Sequence, residues 1–371
     1  MRRPQDNGYW SRSIPRTYHP SEGAWKPGEM DRFKLEGASA VSPFSPYLGE
    51  GTVLQRDISA MPIAEDSAAH AKWMWDNGTL VSSTRTGLNS SAFGTRPIPI
   101  YVVDSADPTC GFQYMDDARG AGQQHEQMYL EGPIPWPSWA KPASNQDMSI
   151  AIYDTATGIM REFFMVRPVS GKPGHWISQS AGYSIARPGL TGLSETNYPL
   201  SLDTGTSAAV GMHNPLGFIG VAEARMGRID HAVCFTTSQM RKGCSWPAVS
   251  GDGTSDDPNA PVEGQWCRLP KWVDPRDYHP FTGLIIRAFQ EYGGLATDKN
   301  LYCHAFNLEN CQTEIHLTGV DPWVSEIPSL YEGSLDVNGF PWHLTEWAPI
   351  DWGRPSIDWK LRPGHGWPIV R

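Results

Sequence analysis

Long apolar runs, metal-ligand spacings and positive charge are all scarce in this 371-residue chain. No stretch approaches the roughly 20 apolar residues of a membrane-spanning helix, so membrane insertion is not expected. The six cysteines, Cys110, Cys234, Cys244, Cys267, Cys303 and Cys311, stand apart with no C-x-x-C pair. That spacing suits neither a zinc clip nor a dense disulfide scaffold, and the thiols are expected to pack as small apolar groups. The histidines form no H-x-H or H-E-x-x-H pattern, so no metal is assigned. No G-x-S-x-G, P-loop or dinucleotide fingerprint is present, which leaves no cofactor assigned either. Lys and Arg number 30 against 40 Asp and Glu, a net charge of -10 that disfavours nucleic acid and anionic lipid as partners. Behind the arginines of "MRRPQDNGYW" no apolar segment of a secretory signal follows, so synthesis in the cytoplasm is expected.

What is abundant points to a mainly β fold. Gly (37) and Pro (32) are plentiful and charged residues make up only 19%, a balance that favours turns over long surface helices. Residues 1–95 read as an extended N-terminal arm carrying Tyr9, Trp10, Tyr18, Trp25, Phe44 and Tyr47, with one short helix in "EDSAAHAKWMWDNG" between Asp66 or Ser67 and Asn77-Gly78. Residues 96–320 read as a β-sandwich of jelly-roll type. Within it, Ser149 to Tyr153 and Ile159 to Val166 form a hairpin, "GHWISQSAGYSIA" one strand, and Leu216 to Val221 and Ile229 to Phe235 two more. The stripe Leu284, Ile285, Ala288, Phe289, Tyr292 in "FTGLIIRAFQEYGG" predicts an amphipathic helix stopped by Gly293-Gly294. Residues 321–371, with Trp323, Trp342, Trp347, Trp352, Trp359 and Trp367 among prolines and acids, read as an extended tail. The aromatics of the arm need another surface to lie against, and those of the tail need a partner surface, either the chain's own core, the outside of the central domain or a neighbouring subunit.

Between Gly132 and about Asn310 the motif order "PIPWPSWAKPASNQDMSIAIYD", "REFFMV", "HWISQSAGYSIA", "GTSAAVGMHNPLGFIGVAEARMGRIDHAVCFTT", "SWPA", "EGQWCRLP" and "GLIIRAFQEYGGLATD" resembles minor tail proteins of phages infecting actinobacteria, and secreted proteins of soil bacteria. Two positions depart from that pattern: Gln146-Asp147-Met148 stands where Asp-Arg-His is expected, and Arg161-Glu162-Phe163 where an aromatic, Glu and Leu are expected. The resemblance implies a structural protein of the virion tail, at the tail tip, joined to other tail proteins through its arm and tail and facing host-surface glycan. The alternative is a sandwich-fold glycoside hydrolase or lyase acting on cell-envelope polysaccharide.

Candidate chemistry rests on few residues. Glu162, Asp230 and His231 are the candidates for acid–base work on a glycosidic bond, which needs two carboxylates across a groove. The competing assignment pairs Glu162 with an arginine and makes His231 a core residue. On a strand, His231 would share a face with Ile229, Val233 and Phe235, so its ring is expected to be buried, neutral and bonded to a backbone carbonyl or a Ser or Thr hydroxyl, with Asp230 on the opposite face. Trp136, Trp139 and Trp176 are the candidates for stacking on sugar rings. The acids of "SGDGTSDDP" are expected to form a solvated loop rather than a calcium site. With the expected histidine replaced by Met148, the purified chain should release no reducing ends from arabinogalactan or peptidoglycan fragments; release that vanishes in a folded Glu162→Gln variant would show the opposite.

Overall fold

A computed structural model of the chain describes residues 52–78, 84–89, 97–118, 130–185, 208–248, 250–300 and 302–354. The aromatics assigned to the arm before residue 52, and Trp359 and Trp367 of the tail, lie outside the described residues. The apolar stripe of "FTGLIIRAFQEYGG" is the helix Pro280–Glu291, with every residue but the last buried. His279 caps it by accepting the Phe281 N–H at 3.2 Å, and Gly293, at φ +82°, turns the chain into the next strand. Gly294 then passes so near the helix that a Cβ there would fall 2.3 Å from the Phe289 ring.

That helix covers one face of a six-stranded sheet ordered Thr86–Asn89, His304–Asn307, Val233–Thr237, Gly294–Lys299, Trp266–Arg268, Glu346–Trp347. Strand alternation sends Val233, Phe235, Ala296 and Phe306 toward the helix and Cys234 and Leu295 away from it. The second face packs on a five-stranded sheet, ordered Asn310–Cys311, Pro99–Val103, Ile150–Asp154, Ile159–Phe164, Ser180–Ile185, through Ile100, Ala151, Tyr153 and Met160. The alternate residues of that sheet, Tyr101, Val103, Ile152 and Phe163, meet Met115, Ile134 and Trp136 of a four-stranded sheet and its flanks. Its order is Gly132–Pro135, Phe112–Ala118, His175–Ser178, Arg167–Pro168. Helix and three sheets are therefore stacked as layers with three apolar seams between them.

The expected β-rich class is present, and so are the helix Ser67–Asn77 and the hairpin, paired from Ile150↔Phe163 to Asp154↔Ile159. A jelly roll is wound from antiparallel pairs, whereas the sheets here are mixed, with parallel ladders such as Val233–Thr237 on Gly294–Lys299 and Pro99–Val103 on Ile150–Asp154. "GHWISQSAGYSIA" divides at Gln179 into two strands that join different sheets. The segment Leu216 to Val221 is not a strand: a 3-10 turn, Asn214–Gly217, leads to the short helix Val221–Met226. Glu223 accepts the Gly220 N–H at 2.8 Å at its start, and Gly227, at φ +68°, ends it. The following strand begins only at Val233, so Asp230 and His231 lie in a connection where the two-residue period does not apply.

The boundaries expected at 95/96 and 320/321 are not boundaries of packing. Val53, Leu54, Ile58 and Met61 enter the seam between the first two sheets, and Thr86–Asn89 is an edge strand. Trp323, Trp342 and Trp347 are fully buried in the helix seam rather than laid on a surface. Each indole finds a partner there: Trp323 donates to Glu309 O at 2.8 Å, Trp342 to Thr86 Oγ1 at 2.8 Å and Trp347 to Thr345 Oγ1 at 2.9 Å. All six cysteines are free thiols, and Cys234, Cys267 and Cys311 are buried.

His304 is fully buried against Trp342, and its Nε2–H donates to Met74 O at 2.8 Å. Burial, the dominant cause, lowers its pKa to about 4. An unfolded imidazole takes a proton near pH 6.5 that the folded ring refuses until about pH 4, so this residue costs stability as the pH falls through that window. Relative to a His304→Gln variant, the wild type should lose about 2 kcal/mol between pH 7 and pH 5 in urea unfolding, from 1.36 kcal/mol per pKa unit.

Candidate functional site

Polar side chains collect on the face of the six-stranded sheet turned away from the helix, where a cleft of about 700 Å³ opens. Its floor is set by register. Thr236 pairs with Ala305 on one side and with Asp298 on the other, and Asn307 pairs with Asn89. A β-bulge between Phe235 and Thr236 inserts Thr297 and so brings Asp298 opposite Thr236. Without it, alternation would send Asp298 to the helix side with Ala296. The facing wall comes from Ile98, Asn145, Asp147 and Ser149, just before the strands Pro99–Val103 and Ile150–Asp154, and Tyr302, 68% exposed, stands at the rim.

Amides tie the floor together: Asn300 donates to Thr236 Oγ1 at 2.7 Å and Asn89 to Asn307 Oδ1 at 2.9 Å. The other end of the Asn307 amide is unmet. Asn307 is 3% exposed, and its buried Nδ2 has no hydrogen-bond partner. Acids dominate the charge. Burial raises the Asp298 carboxyl to about 7, with Asp252 and Asp147 adding to the rise and the Lys299 N–H, bonded to Oδ1 at 2.7 Å, opposing it. Lys299, the cation lining the cleft, is engaged by Asp252, with its Nζ 3.3 Å from Oδ2 and 2.7 Å from the backbone oxygen. Behind Asp252, buried Glu263 accepts the Asp252 N–H at 2.7 Å; burial and the Asp252 charge hold its carboxyl above the usual range. Chemically, the cleft offers hydroxyl, amide and carboxyl groups side by side, a lining matched to a hydroxylated ligand.

The three sequence-derived candidates for acid–base work are not brought together. Glu162 lies on the strand Ile159–Phe164, pairs in register with Ala151 and Gly182, and is shut off from solvent. Its Oε2 is 3.8 Å from Nδ1 of His213, a buried ring whose pKa burial lowers to about 3. Asp230 pairs with Arg228 at 2.6 Å and does not bond its neighbour's ring. His231 is fully buried as expected, and one ring nitrogen, Nδ1, lies 2.8 Å from a backbone oxygen, that of Ala232. The other meets a carboxylate instead of a hydroxyl, with Nε2 at 3.1 Å from Glu223 Oε1. Both neighbours accept, an arrangement that a protonated imidazole satisfies from both nitrogens. Burial opposes that charge and is the largest influence, but the Glu223 charge and bond, helped by Ala232 O and Asp230, outweigh it and raise the pKa. The Ser or Thr hydroxyl expected as a partner is replaced by the carboxylate that the short helix Val221–Met226 places beside the ring.

The candidate sugar platforms sit on another layer. Trp136 is buried, stacks on Trp176 at 5.0 Å and donates to Ala140 O at 3.0 Å. Trp139 stacks on His316 at 3.9 Å, and Trp176 donates to Gln113 Oε1 at 2.5 Å. These rings serve the seam beside the four-stranded sheet, and none of them lines the cleft. In "SGDGTSDDP", Asp256 pairs with Lys242 at 2.8 Å and Asp257 accepts from Asn259. Among the described residues no group of three or more His, Cys, Asp or Glu is placed to hold a metal ion.

The cleft residues escaped sequence reasoning because they come from strands more than two hundred positions apart, Asn89 to Asn307. The one local signal was "LATDKN", where polar residues follow a short alternating run. No family model, curated protein or solved structure matches the chain. For the ion pair at the short helix, a Glu223→Gln variant should lower the His231 pKa, followed by NMR of the imidazole; an unchanged titration would deny Glu223 its role.

Proposed function

We propose that this chain is a structural minor tail protein of a phage virion, set at the tail tip, and that its cleft binds host-surface glycan. The observation that carries the binding half is the cleft itself, about 700 Å³, which sets Asp298, Thr236, Asn307 and Asn89 on a floor bordered by apolar residues such as Ile98, Phe218 and Ala305. That volume lies within the usual range for small-ligand sites, and amides beside carboxyls bond vicinal hydroxyls well. The tail half is supported by the motif order between Gly132 and Asn310, and contacts with other tail proteins are assigned to the two ends of the chain.

A second reading, hydrolysis or lysis of envelope polysaccharide, is favoured by one observation. Asp298, with a carboxyl that stays protonated toward neutral pH, and Asp147 line the same cleft, whereas Glu162 does not. Acid-assisted cleavage requires two carboxyls at one site, one of them held protonated as burial holds Asp298.

Two measurements test the proposal. Mass spectrometry and immunogold labelling of virions of the phage encoding the chain should find it in the particle and at the tail tip; a particle without it sinks the structural reading. Purified chain should retain host envelope polysaccharide on a column, and Asn307→Ala should weaken that retention. Reducing ends released by the wild type and by Glu162→Gln, but not by Asp298→Asn, would instead establish the enzyme.

A further inference from the structure

The cleft has a marked charge asymmetry. Asp147 and Asp298 line it, and among the described lining residues Lys299 is the one that carries positive charge. The Lys299 ammonium is already committed, 3.3 Å from Asp252 Oδ2 and 2.7 Å from Asp252 O. Among the described lining residues an entering anion would find no arginine and would have to compete with Asp252 for the lysine. It would also stand among carboxylates in a part-buried space, where like charges repel more strongly than in water.

The second observation is independent of charge. Asn307 Nδ2 is a buried donor without a partner on the floor of the cleft, while Oδ1 of the same side chain is fixed by Asn89 at 2.9 Å. A buried donor left unmet costs roughly 1 to 3 kcal/mol, so a ligand oxygen that meets it recovers an interaction that the empty protein forgoes. A sugar hydroxyl both accepts and donates, and can therefore take the Asn307 proton while giving its own to a carboxylate oxygen.

We propose that the cleft selects uncharged saccharides over their uronate counterparts, with Asn307 Nδ2 donating to a ligand oxygen and Asp298 and Asp147 turning the sugar carboxylate away. This specificity rests on the glycan-binding reading above and deepens it. Asp298 and Asn307 are the specificity-determining pair: one sets the sign of the field, the other supplies the unmet bond.

The test is calorimetric titration of the full chain at pH 8, where Asp298 is largely ionised. The probes are uncharged galacto-, gluco-, manno- and arabino-oligosaccharides, together with oligogalacturonate, oligoglucuronate and oligomannuronate. At least one uncharged oligosaccharide should bind the wild type, with its uronate counterpart about tenfold weaker or more. Asp298→Asn, which keeps the shape and removes the charge, should narrow that ratio severalfold, whatever its effect on the affinity for the uncharged sugar. Asn307→Ala should weaken the uncharged sugar by about fivefold to tenfold, the worth of one buried hydrogen bond. Thermal melting of both variants checks their fold, and Asn307→Asp, which adds a further carboxyl, should widen the ratio if the alanine variant unfolds. A uronate bound as tightly as its uncharged partner, or a ratio that Asp298→Asn leaves unchanged, overturns the specificity while the glycan reading stands. Failure of every saccharide to bind overturns the glycan reading itself, and the specificity with it.

Discussion

Everything in this protein hangs on the contact between the helix Pro280–Glu291 and the sheet beneath it. Phe289 meets Phe235, Phe306, Phe340 and Trp342 with ring centroids 4.9 to 6.1 Å apart, in tilted and edge-on arrangements. Phe235 and Phe306 come from neighbouring strands in register, while Phe340 and Trp342 come from the Trp-rich segment that follows. A seam of this kind removes a large apolar area from water and adds ring–ring contacts worth about 0.5 to 1.5 kcal/mol each. It also makes the segment after residue 320 part of the core, because that segment closes the seam.

The same seam fixes the cleft by elimination. Once alternate residues of the central strands are spent on the helix, the intervening ones must face the second sheet. Cys234 and Leu295 pack there, while Thr236, Asp298 and Asn307 sit where the sheets part and stay polar. The bulge at Phe235/Thr236 is the decisive irregularity, since one inserted residue carries an acid from the apolar face to the open one.

Around the short helix Val221–Met226 charged groups are paired locally. Arg225 is held between Glu314 at 2.5 Å and Glu326 at 2.6 Å, His231 by Glu223, and Asp230 by Arg228. All three sets gather around the short helix Val221–Met226 and its exit, and the Arg225 set joins that helix to the helical segments after Asn310. Removing Glu314 or Glu326 leaves the Arg225 charge less compensated, so this set specifies how the segments dock. Their chemistry is spent on structure, which is why Asp230 and His231, adjacent in sequence, do not act as a dyad.

The sequence by itself determined the β-rich class, the two longer helices with their glycine stops and the hairpin around Asp154 to Gly158. Each follows from a short-range rule: hydrophobic period, turn chemistry, or the side of a chain on which apolar residues cluster. Only the tertiary structure decided that "VAEARM" in "GVAEARMG" is a helix, since six residues between glycines satisfy a strand pattern nearly as well until Glu223 is seen bonding the Gly220 N–H. Only it decided that Trp323, Trp342 and Trp347 are core residues, because an aromatic-rich segment without period shows a need for burial and not where the burial occurs. The partnership of Asn89 with Asn307 and of Thr236 with Asp298 depends on strand pairing across distant positions and on one bulge. Pairing energy lies in contacts between strands, which no window along the chain contains.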